Sequence, residues 1–397
     1  MSTSTKYFPK KISNDAINEL LVNIGLPKAT NIIVPKVDAN YHAIYMITLP
    51  PSKKAADRVY SNGLVLRVAV DCWPRIKTEN ESGVMKWISQ HTEIPIPKLI
   101  SYESSDQNPL GYEYTLLPRI PGKPLYDILQ QLDDKQMDEI LDQLADFLVE
   151  LHSHRWNKIG GINIDGEGNF HVSRVMDENF WTAHQTSSWP AGETIHTLNI
   201  GGPFRTYVDY ITAQIKLYIR LIRLHDRLEY YRPQADSLKL FLGALNRHAE
   251  ELNKTRFILA HKDLHFGNIM YDQASGKITA ILDWEFSGVV PAPKWNPRKA
   301  FLWNCDRTEK SKAEKERLVQ RFAQRCEERG VKPLPDEVEY TSPRQKAMQE
   351  IADHVRAIIE VSVAEQYSET THLKLQIDEQ VEEWGNTVTK ALAVFGI

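Results

Sequence analysis

Apolar positions in the first third of the chain change spacing from one segment to the next. Ile17, Leu20, Leu21 and Ile24 recur at helical intervals and predict a short amphipathic helix over Asp15–Ile24. The segments Asn31–Val37, Ala43–Leu49 and Leu64–Val70 are instead rich in β-branched and aromatic residues, with breaks at Pro50, Pro51 and Gly63, and they predict an antiparallel meander. Glu81–Ser89 reads as helix. Pro95 and Pro97 then enforce an extended chain leading into a fourth β-rich segment, Tyr112–Leu117.

Pro118, Pro121, Gly122 and Pro124 form a stiff connector. It predicts a division into a strand-rich unit over 1–117, a linker over 118–124 and a second unit over 125–397. The second unit is mainly helical: Asp134–Ser153, Tyr207–Tyr230, and stretches at 309–329, 345–366 and 375–394. One hairpin interrupts it, with Asn268–Asp272 and Lys277–Leu282 flanking the turn QASG. The fold class is α+β, and no internal repeat is visible.

Composition narrows the functions. The 397 residues carry 48 basic and 52 acidic side chains, so no global basic field exists to attract nucleic acid or anionic lipid. No run of about 18 apolar residues predicts a membrane span, and the first residues lack an apolar signal core. Three cysteines, Cys72, Cys305 and Cys326, form no CxxC pair and argue against a disulfide framework or thiolate zinc site. The expectation is a cytoplasmic protein with no nucleic-acid or membrane partner; oligomeric state is not readable.

The chemistry concentrates in FILAHKDLHFGNIMYDQASGKITAILDWEFSG. Asp263 and Asn268 lie five residues apart across a loop, and Asp283 follows an apolar strand that a hairpin can return toward Asn268. An Asn amide oxygen beside an Asp carboxylate is a pair of hard oxygen ligands suited to magnesium on nucleotide phosphates. Asp263 is then left to accept a proton from an attacking hydroxyl. Each residue alone reads rather as a turn cap or strand end; it is their ordered combination between apolar flanks that points to the chemistry.

HKDLHFGN followed by ILDWE resembles the motif of the aminoglycoside phosphotransferase and choline kinase-like family, usually close to HGDLHPGN and then IDWE. With WEFSGVVPAPKW after Asp283, the chain resembles its fungal branch. The resemblance implies a two-lobed protein-kinase-like fold and transfer of a phosphoryl group from ATP, or GTP, with Mg2+, to a hydroxylated small molecule. It makes Asp263 the catalytic base, Asn268 and Asp283 the metal ligands, and His261 a support for the loop. His265 belongs to the motif as a brace. LVLRVAV and the following helix place Arg67 toward the phosphates with Glu81 as its ion-pair anchor, and GYEYTLLPRIPGKPL places backbone near Leu117 and Arg119 at the adenine edge.

Two departures stand out. The first loop reads VDANYHAIYMI, without glycines to approach phosphates closely, which leaves Asn40, Tyr41 and His42 as candidates for phosphate or substrate contact. The stretch from Asn169 to Phe204, with Trp181, His184 and Trp189, is long enough for a substrate lid or an anchored connector. Glu360 and Glu365 fit either a wall facing a cationic substrate or a solvated helix face. Few residues separate Asp283 from Pro291, so no protein-kinase activation segment fits. Two other readings compete: a catalytically silent kinase-like nucleotide- or ligand-binding module, and a metal-dependent hydrolase using His261, His265 and Asp283.

Overall fold

The computed structural model describes residues 8–36, 40–51, 60–295, 308–331, 339–364 and 371–397. Its first part is a five-stranded antiparallel sheet of β1 (Asn31–Ile33), β2 (His42–Thr48), β3 (Leu64–Ala69), β4 (Ser101–Glu103) and β5 (Tyr114–Pro118), in the order β1-β2-β3-β5-β4. The strand expected to reach Val37 stops at Ile33, two residues before Pro35, which has no N–H for a ladder. Side chains alternate across β3. Leu64, Leu66 and Val68 are buried with Ile17, Leu20 and Leu21 of helix α1 (Asn14–Asn23), which leaves Arg67 on the opposite face.

That opposite face is covered by helix α2 (Ile76–His91), which begins five residues earlier than its apolar spacing predicts. Its first turns bury Lys77, Asn80, Glu81 and Ser82 rather than exposing them. Gly83 sits against the Ile162 carbonyl so closely that a Cβ there would come within 2.0 Å of the oxygen.

The second part is less purely helical than its pattern suggests. Strand β6 (Lys123–Pro124) joins β10 (Ile269–Asp272) and β11 (Lys277–Ile281) in one sheet; β7 (Ile162–Ile164) pairs with β8 (Phe170–Val172), and β9 (Phe257–Ala260) with β12 (Gly288–Pro291). These short strands carry too few residues to show a period of two. The main helices are α3 (Asp134–Ser153), α4 (Tyr207–Leu224), α5 (Gln234–Arg247), α6 (Glu309–Glu328), α7 (Pro343–Val363) and α8 (Thr371–Ala393). Helix α5 has no counterpart in the sequence reading, and α4 ends at Leu224 with a 3-10 turn over Asp226–Tyr231 in place of its expected last turns.

One apolar core joins α2, α3 and α6 to the β9–β11 region through residues such as Ile88, Leu144, Leu259, Ile269 and Phe322. A second lies among α4, α5, α7 and α8. Along the edge of α3 and α6, Arg321 meets Asp138 at 2.5 Å, Arg325 meets Asp142 at 2.6 Å and Arg329 meets Asp146 at 2.5 Å. These pairs border solvent, so Arg325→Ala should cost no more than about 1 kcal/mol in urea denaturation, with the difference shrinking at high salt. Among the described residues no helix is long and apolar enough to cross a membrane.

Candidate active site

Strands β9 and β12 deliver two loops to one place. The loop after β9 carries His261, Lys262, Asp263 and Asn268; the loop after β11 carries Asp283 and Glu285. Leu282 holds them together, its N–H donating to the Asn268 carbonyl at 2.8 Å and its carbonyl lying 2.7 Å from His261 Nε2. The Asp263 N–H points at His261 Nδ1 from 3.3 Å, so the ring is a neutral imidazole with its proton on Nε2. Burial pushes the His261 pKa down to about 4, in agreement with that neutral form. Lys262 and Asp283 adopt left-handed backbone, φ 65° and 63°, at a cost of roughly 1 kcal/mol each.

Asn268 Nδ2 donates to the Asp263 carbonyl at 2.9 Å, which fixes the amide. His265 Nδ1 accepts from the Gly267 N–H at 3.0 Å and braces the turn. Both His261 nitrogens and one of His265 are therefore committed within the loop, which opposes the hydrolase reading. The Asp263 carboxyl is pushed up to about 7, first by burial, then by Asp283 and Glu178.

Across the gap stands a buried charge network. Arg67 bonds Glu81 and reaches Asp283 Oδ1 at 2.7 Å. Lys77 meets Glu285 Oε2 at 2.8 Å. His42 lies between the two cations, its Nδ1 3.1 Å from Arg67 and its Nε2 2.8 Å from Lys77, and burial beside these charges holds its pKa well below the ordinary value. Burial would raise Asp283, but Arg67, His261 and Lys77 outweigh it and its carboxyl lies below the usual range. Burial pushes Glu285 up to about 8 despite Lys77. Two cations thus face three carboxylates, and Glu81 Oε2 is buried with no hydrogen-bond partner.

Such a site fits a divalent cation through hard oxygen donors: the Asp283 carboxylate, held in its charged form, and the Asn268 amide lie on loops joined at Leu282. Among the described residues no group of three His, Cys, Asp or Glu is placed to hold a metal ion.

The other sequence candidates sit around this centre or in the sheet. Tyr41 stacks edge-on to Phe286 at 5.1 Å beside Trp73. Asn40 is exposed, and Val37–Ala39 lie outside the described residues. Leu117 pairs with Val65 in the sheet, and the Arg119 N–H donates to the Gly63 carbonyl at 2.9 Å, so it is not free for an adenine edge. Residues 177–181 and 198–200 of the long stretch after Asn169 wall a cavity that Asp263 also lines. Glu360 lines it too, paired with Arg356 at 3.0 Å; Glu365 and Cys305 lie outside the described residues.

Sequence reasoning missed Lys77, Asn80 and Glu285. Asn80 donates to the carbonyls of Glu285 at 3.0 Å and Ser287 at 2.9 Å, and accepts from the Ile162 N–H at 3.0 Å. The available signal was Lys77, Asn80 and Glu81 at i, i+3 and i+4, one polar face on a helix whose later turns are apolar.

Residues 50–292, more than half of the chain, match the family model described as the phosphotransferase enzyme family. The chain belongs to that family. It is 23% identical over 228 residues to the clavilactone A biosynthesis cluster protein Y of Ampulloclitocybe clavipes, covering 56% of this chain and 52% of that protein. It is 21% identical over 262 residues to a subtelomeric hrmA-associated cluster protein of Aspergillus fumigatus, covering 54% and 50%. This phosphotransferase family member thus spans about half the length of the curated relatives it matches. In fold it is similar to APH(2")-IIa in its streptomycin–ATP ternary complex, with a TM-score of 0.52 at 12% identity, covering 96% of this chain and 99% of that one. The kinase-like α+β fold expected from the sequence is the fold observed.

Proposed function

We propose that this phosphotransferase moves the γ-phosphoryl group of ATP, with GTP as the alternative donor, to a hydroxyl of a small molecule in a magnesium-dependent reaction. Residues 1–117 form the nucleotide lobe, 118–124 the hinge and 125–397 the catalytic and acceptor lobe, and the protein works in the cytoplasm. Asp263 accepts the acceptor's proton, while His261 holds the loop that presents it. Asn268 Oδ1 and Asp283 would hold magnesium, which would neutralise charge on the transferring group. Arg67, braced by Glu81, faces the phosphates; Asn40 and Tyr41 sit at the phosphate edge with His42 behind them between Arg67 and Lys77, and the backbone at Leu117 with the Arg119 carbonyl lies at the nucleobase.

The observation that carries this reading is the knot at Leu282, which brings the loops bearing Asp263, Asn268 and Asp283 together. The Arg67–Asp283 pair favours a second reading, a binding module without turnover, because the carboxylate already has a cationic partner. Thermal denaturation tests the first. Magnesium with ATP at about 100 times its Kd should stabilise wild type by about 2.7 kcal/mol, and neither component alone should do so. Asp283→Ala should abolish that response; an undiminished shift in the variant would remove Asp283 from the metal site. A shift without phosphate transfer to any acceptor would favour the binding module.

A further inference from the structure

We infer that the acceptor is an apolar-bodied alcohol or phenol with one further hydrogen-bond donor, rather than a polyhydroxylated sugar. This rests on the phosphotransferase reading and specifies its acceptor.

The cavity beside Asp263 is walled largely by apolar side chains, interrupted by half-buried charged groups, Asp177, Lys262 and Lys294, that bond to the protein. Helix α4 presents Gln214, Leu217, Tyr218 and Leu221, one helical stripe at i, i+3, i+4 and i+7. Opposite elements add Phe180, Trp181 and Phe286, with Ile359 from α7. Glu178, Asn179 and Asp353 are exposed and belong to the mouth.

Most other polar groups of the wall already have protein partners, Asp177 accepting from the Asn179 N–H at 3.2 Å and from Asn179 Nδ2 at 3.0 Å. Lys262 donates to the Met176 carbonyl at 2.6 Å, Lys294 to Tyr210 Oη at 2.5 Å, and Arg356 to Glu360 at 3.0 Å. Asn199 donates to the carbonyls of Trp181 and Ile195 at 2.8 and 2.9 Å and accepts the Trp181 N–H at 2.7 Å. A sugar entering such a cavity would leave several hydroxyls unpaired, at about 1–3 kcal/mol each.

Gln214 carries an unmet acceptor. It is 6% exposed and donates through Nε2 to Tyr210 Oη at 3.2 Å, but its Oε1 is buried without a partner. An N–H or O–H on the ligand would satisfy it, in a cavity where Asp263 receives the reacting hydroxyl.

Two phenols that differ by one hydroxyl test this, umbelliferone with one and esculetin with two, set against glucose and kanamycin. Binding is followed by tryptophan fluorescence, transfer by ADP release. Umbelliferone should bind at least about tenfold more tightly than glucose or kanamycin. Esculetin should gain a further severalfold in wild type and lose that gain in Gln214→Leu. Leu217→Arg should remove binding of both phenols, and melting without ligand shows whether each variant folds. Equal or tighter binding of the sugars, no phenol binding at about 1 mM, or an undiminished esculetin gain in Gln214→Leu would overturn the inference. The magnesium–ATP shift in the same samples separates the two levels: its loss in wild type sinks the phosphotransferase reading, whereas an intact shift with sugar preference sinks the acceptor assignment alone.

Discussion

Asp263→Asn should lower kcat by about 10²- to 10⁴-fold while magnesium–ATP still raises the melting temperature as in wild type. The amide keeps the shape of the side chain but cannot take a proton from the acceptor. Stopped-time assays of phosphate transfer, run beside the thermal shift, measure both quantities on one preparation. A variant retaining more than about a tenth of wild-type kcat would show that Asp263 is not the base.

The surroundings of Asp263 also set a pH profile. Its carboxyl is pushed up to about 7 by burial, Asp283 and Glu178, in that order. A base works only when deprotonated, so kcat/KM should fall on the acid side with a midpoint above 3.8 and at or below about 7, because a divalent cation held by Asp283 would cancel the second cause. Glu178→Gln should move that midpoint down. The same shift acts on folding with the opposite sign to an ordinary paired carboxylate. Between pH 3.8 and about 7 the folded chain holds a proton that the unfolded chain has released, so this contribution to stability is present at low pH and lost as pH rises through the folded value. In Asp263→Asn nothing is left to titrate, and without nucleotide it should melt above wild type at pH 8. Activity here works against stability.

Helix α3 could be bounded from sequence because its cap and stripe are local: Asp133 and Gln136 form a capping box, and Ile140, Leu141, Leu144 and Leu151 face the core. The start of α2 could not, since buried Lys77, Asn80 and Glu81 write the same polar pattern as a solvated face. Strands β9 and β12 are each only four residues long. The site follows the same division. His261, Asp263 and Asn268 share one loop and stand out as a motif, whereas Lys77 finds Glu285 across 208 residues of chain and Asn80 finds Ser287 across 207. Gln214 lies within an amphipathic helix whose spacing explains it as core, so only the missing partner of Oε1 singles it out.

Asn80→Ala should be the costliest substitution outside the two loops, at about 3–4 kcal/mol in urea denaturation. It strands three buried backbone groups at once, the carbonyls of Glu285 and Ser287 and the N–H of Ile162. Ala cannot replace them, and the side chain it removes is tightly fitted: a Cβ on Gly161 would lie 2.3 Å from Asn80 Oδ1. Asn80→Asp sharpens the test. It keeps the acceptor for Ile162 but turns a carboxylate oxygen toward two carbonyls, so it should be less stable than Asn80→Ala despite its closer shape. If Asn80→Asp matches wild type, the two donated bonds contribute nothing. Function should fall with stability, because the same face of α2 carries Lys77 to Glu285 and Glu81 through Arg67 to Asp283. Loosening it frees the loop that bears Asp283, and the magnesium needed for half-maximal activity should rise even at temperatures where Asn80→Ala remains folded.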